Sequence, residues 1–257
     1  MESANYESSS DCSEQEWETR VNLAAAYRLV ASFGWDDLIF THISARVPDT
    51  DNEFLINPFG LMFDEVTASS LIKINIKGEK IAPSPFEVNP AGFTIHSAIH
   101  QVRHDANCVF HLHTISGTAV ATDPKGLLPL NQTAMLIRDD IAYHDFEGVA
   151  VDLDERPRLQ RDLGDKNIML LRNHGTLTVG ETVAEAFMRT YFIERACEMQ
   201  IATLSSSSGE YYATPEVIQD KVGMQGRDEK IAKQAANLLA WPALLRRLDR
   251  LEESYKK

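Results

Sequence analysis

The run Cys108-Val109-Phe110-His111-Leu112-His113 constrains this chain more than any other stretch. Read as a strand, with its period of two, it puts His111 and His113 on one face and Cys108, Phe110 and Leu112 on the other. Two such same-face side chains lie about 7 Å apart at the Cα level, close enough to converge on one ion with Zn–N distances of about 2.0–2.1 Å. A third imidazole must come from elsewhere in the fold. His174, in Asn173-His174-Gly175 after the apolar run Ile168 to Leu171, fits, because a turn glycine at a strand end is where a side chain can be aimed into a cleft. Three neutral imidazoles and a water describe an open, catalytic type of zinc site. A plainer reading uses the same residues: eight histidines in 257 positions bring some pairs close, and two partly buried imidazoles can bond to backbone carbonyls instead.

The rest of the chain alternates between helix and strand patterns. Ser13 with Glu16 three residues later starts a helix that runs through Val21, Ala24, Ala25, Leu29 and Val30 to a stop at Gly34. Strands are expected over 39–46 and 54–57, with a helix of one or two turns from Thr67. Asn89-Pro90 pairs an N-cap with a first-turn proline, predicting a helix over 91–103 that leads into the His111 strand. Further strands are expected at Ile168 to Leu171 and at Leu177 to Val179. Thr182 and Glu185 then cap a long helix, and only Thr190 and Glu194 break the apolar character of its face Val183, Phe187, Thr190, Glu194, Cys197 and Ile201. Residues 205–209 read as a linker. Trp241-Pro242 opens a last helix, Ala243 to about Ser254, striped by Leu244, Leu245, Leu248 and Leu251. The alternation is that of an α/β layered fold without internal repeats. It divides into a disordered segment 1–12, a domain 13–204, and a linker with a C-terminal helical appendage 205–257.

Composition excludes several classes. The net charge of −13 repels polyanions, so no nucleic acid partner is expected. No stretch approaches about 20 apolar residues and Met1 to Glu18 holds no apolar signal core, which points to a soluble, cytoplasmic protein without membrane contact. Cys12, Cys108 and Cys197 are an odd number at unrelated spacings, as expected of reduced thiols. There is no Gly-x-Ser-x-Gly elbow, phosphate-binding loop or dinucleotide fingerprint, so serine hydrolysis and hydride transfer have no support. Asp49, Asp51 and Glu53 open like a calcium loop, but Phe54 stands where that loop needs glycine, leaving a solvated turn. His96 and His100 are four apart without the glutamate of a His-Glu-x-x-His site, and packing or lining the site suits them better. The terminal leucine stripe suits core or subunit contact.

Longer stretches carry a resemblance. Gly34-Trp35-Asp36-Asp37-Leu38-Ile39-Phe40-Thr41-His42-Ile43-Ser44-Ala45-Arg46, Pro58-Phe59-Gly60-Leu61, Val66-Thr67-Ala68-Ser69-Ser70-Leu71 and Asn89-Pro90-Ala91-Gly92-Phe93-Thr94-Ile95-His96-Ser97-Ala98-Ile99-His100 resemble the class II aldolase/adducin family. The similarity runs from about Val21 to Leu204. It implies a three-layer α/β/α sandwich around a central mixed or largely antiparallel sheet, and cyclic homotetramers with sites near subunit boundaries. It also implies a divalent ion, zinc or else manganese or iron, held by His111, His113 and His174. His42, Arg46, Gly60 and Gly92 would lie on the substrate side.

The departures from the family matter as much. Its sugar-phosphate aldolases carry a Ser-Ser-Glu, the Glu acting as acid/base and resting metal ligand, where this chain has Pro90, Ala91 and Gly92. Their phosphate-cradling Gly-Asn-x-Ser is replaced by Thr41-His42-Ile43-Ser44. In both respects the chain is similar to the adducin head. Candidates for the unassigned proton shuttle are His42, Tyr143 and His144, the last two near where family aldolases place a catalytic tyrosine. The implied function is a metal-dependent lyase of aldehyde-lyase or decarboxylase type. It would work through an ene-diolate or carbanion on a small hydroxy- or oxo-acid, and poorly on sugar phosphates. The alternative is a non-catalytic, self-assembling module like an adducin head.

Overall fold

The computed structural model describes residues 8–206 and 210–257. Ser13 accepts a hydrogen bond from the Glu16 amide at 3.1 Å and starts α1 (Glu14–Phe33), which ends at Gly34 in the left-handed conformation, as the sequence predicts. β1 (His42–Arg46), β2 (Glu53–Ile56) and β3 (Ile72–Asn75) follow, then α2 (Pro90–Val102) with Asn89 as its cap. After β4 (Cys108–Leu112) come α3 (Ile115–Thr122), α4 (Gln132–Ile137), β5 (Ile141–His144), α5 (Arg156–Leu163), β6 (Ile168–Leu171) and β7 (Gly175–Gly180). The long α6 (Val183–Ser206), capped by the Thr182 hydroxyl, precedes α7 (Glu216–Gly226), α8 (Glu229–Gln234) and α9 (Trp241–Asp249).

The strands form one sheet in the order β3-β2-β1-β4-β7-β6-β5. β5 and β6 run parallel, and every other neighbouring pair is antiparallel. α1, α3, α4 and α6 cover one face, and α2 and α5 cover the other. The expected three-layer α/β/α sandwich around a mixed, largely antiparallel sheet is therefore what forms. β4 lies at its centre and is buried on both sides. Cys108, Phe110 and Leu112 pack into the α1–α6 layer, whereas Val109 packs with Ile95 and Ile99 of α2. That alternation is the one the strand period requires, and it leaves His111 on the α2 side.

Three local expectations are corrected. No helix starts at Thr67. The segment is a turn closed by reciprocal bonds between Thr67 and Ser70. Its carbonyls at Ala68 and Leu71 accept from Arg20 Nη1, and its amides at Ala68 and Ser69 donate to the Tyr255 and Lys257 carbonyls. Backbone groups committed to distant partners cannot form i→i−4 bonds. Ser205 and Ser206, expected to open a linker, complete α6, and residues 207–209 lie outside the described residues, as do 1–7 of the segment expected to be disordered. The last helix stops at Asp249, so Leu251 leaves the leucine stripe and is exposed, while Leu248 joins Trp241 and Tyr255 in the core beside α1. Among the described residues, no helix is long and apolar enough to cross a membrane.

Candidate metal centre

β4 delivers His111 from its last turn of alternation, and His113 follows one residue past the strand. His174 arrives from the β6–β7 connection. There Asn173 adopts φ 56°, a left-handed conformation that asparagine tolerates, and the Thr118 hydroxyl holds the His174 carbonyl at 3.2 Å. The turn is thus made by Asn173, not by the neighbouring glycine. Gly175 serves close approach: a Cβ there would lie 2.3 Å from the Leu112 carbonyl oxygen and 3.1 Å from His113 Cδ2. The three imidazoles converge, with one nitrogen of each within 4.8 Å of the others and ring centroids 4.6–4.8 Å apart.

The hydrogen bonds around the triad test whether a metal fits. His111 Nδ1 lies 3.0 Å from the Thr176 carbonyl oxygen, and His113 Nδ1 lies 3.0 Å from Asp37 Oδ2. Both partners only accept, so each Nδ1 donates to them, and a ring whose single proton is placed there turns an Nε2 lone pair inward. These two Nε2 atoms face one another at 3.0 Å. Two facing lone pairs at that distance suit a shared cation, and the carbonyl and carboxylate behind them are the supports that orient metal-bound imidazoles. Burial, more than the neighbouring rings, holds His111 well below the usual imidazole value and pushes His174 down to about 4. Both are then neutral at physiological pH, the form that ligates. The residues fit a borderline divalent ion.

Beside the triad lies a buried polar chain. His42 pairs with His111 in the β1–β4 ladder, and their rings sit 5.1 Å apart. His42 Nδ1 meets His96 Nε2 at 2.9 Å, His96 Nδ1 bonds the Ser44 hydroxyl, and Ser44 Oγ meets His100 Nε2 at 2.8 Å. His96 and His100 of α2 therefore pack onto the polar face of β1 and are not ligands. Burial, with His96 nearby, holds His42 well below the imidazole range. Its Nε2 bonds none of the described residues. The ring lies where a side chain at position 92 would go: a Cβ on Gly92 would sit 2.7 Å from His42 Cδ2.

The remaining sequence candidates scatter. His42 and Gly92 reach the triad's flank. Arg46 does not, because it lies at the opposite end of β1, about 13 Å along the strand from His42, where it bonds the carbonyls of Asp51 and His100. Tyr143 faces the α4–α6 layer, across the sheet from His111; its hydroxyl accepts from the Leu127 amide at 3.2 Å, and Arg172 stacks on its ring. His144 shares the face of His111 but is buried against Asp162 at 2.7 Å and Glu155 at 3.4 Å, which gives it a structural place. Gly60 occupies a turn at φ 108°. Asp37 and Thr176 were missed. Asp37 lies in the stretch Gly34 to Arg46, yet nothing local ties it to His113.

With this geometry in view, the similarities to known proteins fall into place. The family model "Class II Aldolase and Adducin N-terminal domain" matches residues 21–201. The solved aldolase II superfamily protein from Pseudomonas syringae is 47% identical, covers 96% of this chain and 98% of its own, and superposes with a TM-score of 0.89. The L-fuculose 1-phosphate aldolase from Glaciozyma antarctica PI12 is 28% identical, covers 95% of this chain and 93% of its own, and has a TM-score of 0.81. Alpha-adducin of Mus musculus is 47% identical over 193 residues, which is 74% of this chain and 26% of that protein. By sequence match and by fold, the chain belongs to the class II aldolase and adducin family.

Proposed function

We propose that the protein is a metal-dependent lyase acting on a small, unphosphorylated hydroxy- or oxo-acid, with its ion held by His111, His113 and His174. The observation that carries this reading is the 3.0 Å approach of two Nε2 lone pairs whose rings have both Nδ1 protons committed elsewhere. Zinc suits three imidazoles, and manganese or iron are the other divalent choices. When bound, the ion would polarise a carbonyl and draw off charge developing on the neighbouring carbon. His42 would hold a substrate oxygen or move a proton at Nε2, since its other nitrogen is engaged by His96. Gly92 offers no carboxylate, and a general acid/base typically contributes about 10²–10⁴-fold in rate. The His42 imidazole also adds bulk beside position 92, which disfavours a phosphate. Exposed Leu38, Phe40, Ile115 and Phe146 rim the triad's loops. Together with family membership they support a homotetramer whose subunits cover the sites, and the cytoplasm is the compartment proposed for it.

Similarity to alpha-adducin favours a second reading, a non-catalytic self-assembling module. One experiment separates the two. Elemental analysis of the purified parent and of His111→Ala is paired with assays on L-fuculose 1-phosphate and a panel of hydroxy- and oxo-acids. We expect about one divalent ion per parent chain, none in the variant, and turnover confined to the acids. Phosphate turnover at about 1–10³ per second would reject the substrate class. A metal-free parent rejects the lyase.

A further inference from the structure

α6 carries a carboxyl where the packing of the helix calls for an apolar side chain. Glu194 is fully buried, and among the described residues no lysine, arginine or histidine pairs with it. Both of its oxygens are used. The Thr176 hydroxyl donates to Oε1 at 2.9 Å and the Thr114 hydroxyl donates to Oε2. Thr114 Oγ1 also accepts the Gly117 amide at 3.0 Å, so its single proton is left for the carboxyl. Two hydroxyl donors aimed at two oxygens is the pattern of an ionised carboxylate.

Each threonine leads directly to a metal ligand. Thr114 follows His113 in the chain and caps α3. Thr176 gives its carbonyl to His111 Nδ1, so the link from Glu194 to that imidazole crosses the sheet through a single residue. A buried carboxylate without a cation is unfavourable, and burial accordingly pushes Glu194 up to about 7 against the pull of its two threonine bonds. A divalent ion on the other side of the sheet would supply the missing positive charge. By linkage, whatever the ion does for the carboxylate, the carboxylate does for the ion.

We propose that Glu194 is the counter-charge of the metal centre, a positioning residue whose carboxylate, acting through Thr176 and Thr114, tightens the grip of the triad on its cation. This rests on the metal reading above. The decisive measurement is zinc affinity, by chelator competition at pH about 8, where the carboxylate is ionised, with urea unfolding of the metal-free chains recorded alongside. Glu194→Gln should weaken zinc binding about 10–100-fold, the usual effect of losing an outer partner. Thr176→Val, which keeps the carbonyl and removes the hydroxyl, should weaken it in the same direction and serves if the glutamine variant does not fold.

The control is Thr178→Val. It deletes a buried hydroxyl bonded to Thr190 on the same side of β7 without touching Glu194, and it should lower stability while leaving zinc affinity unchanged. The advantage of the parent over Glu194→Gln should also shrink as pH falls below about 7, because protonation removes the charge. Equal affinities for the parent and Glu194→Gln, or equal losses in Glu194→Gln and Thr178→Val, overturn the proposal alone. A parent that binds no zinc overturns it together with the metal reading.

Discussion

Position 92 has no side chain, and that absence is what admits the His42 imidazole beside the triad. An added methyl would sit 2.7 Å and 2.9 Å from two ring atoms of His42, well inside contact distance. Gly92→Ala should therefore destabilise the fold by about 1–3 kcal/mol, as overpacking does, and His42→Ala should relieve it. In urea unfolding the double variant should show favourable coupling of at least about 0.5 kcal/mol between the two sites. Strict additivity would mean that the ring does not occupy that space. The triad itself was legible in the sequence because a strand period and a short His-Gly motif are local signals. Its supports were not, since Asp37 is 76 residues from His113, Thr176 is 65 from His111, and Glu194 is 80 from Thr114. Glu194 did leave a trace, as a charged residue on an apolar helical face, but a trace without a partner names no role.

Elements announced by their caps were also legible: α1 by Ser13, α2 by Asn89 and α6 by Thr182. β3, β5 and the short helices α3 to α5 were not, because four to eight residues carry too little periodicity to separate strand from helix. The turn at Thr67 shows tertiary contacts overriding local preference, and α1 causes it. Arg20, fully buried on that helix, bonds Glu16 at 3.0 Å and reaches the turn carbonyls, while Lys73 of β3 meets the same glutamate at 3.0 Å. Glu16 thus neutralises two cations at the joint between α1 and β3. Glu16→Gln removes the buried anion that Arg20 and Lys73 share and should cost about 3–5 kcal/mol of unfolding free energy. Ser13→Ala, which removes only the cap one turn earlier, should cost about 1 kcal/mol. Similar losses in the two variants would show that the buried network contributes no more than an ordinary cap.

At the scale of the whole molecule, buried histidines set the response to acid. Burial holds His42, His96, His100, His111 and His174 below the ordinary imidazole value, His174 at about 4 and His100 at about 3. Below about pH 6.5 the unfolded chain takes up protons that the metal-free fold refuses, so stability is complete above that pH and is lost on the way down. Glu194 acts with the opposite sign between its ordinary carboxyl value and about 7, where the fold holds a proton more tightly than the unfolded chain does. Burial raises Asp140 and Glu155 in the same sense as Glu194, and five imidazoles outweigh three carboxyls. The thermal midpoint of the metal-free protein should rise between about pH 4 and 6.5, and a flat or falling profile would contradict the burial of these rings. The central place of β4 has a kinetic consequence as well. Its partners β1 and β7 pair His111 with His42 on one side and with Leu177 on the other. Each pairing closes a loop of about 70 residues, at roughly 4 kcal/mol of chain entropy. His174 reaches the other two ligands only when both strands flanking its turn are in place. An ion that engages all three imidazoles only after these pairings should therefore slow unfolding more than it speeds folding, and equal effects on the two arms of a denaturant chevron would show the triad already closed at the folding barrier.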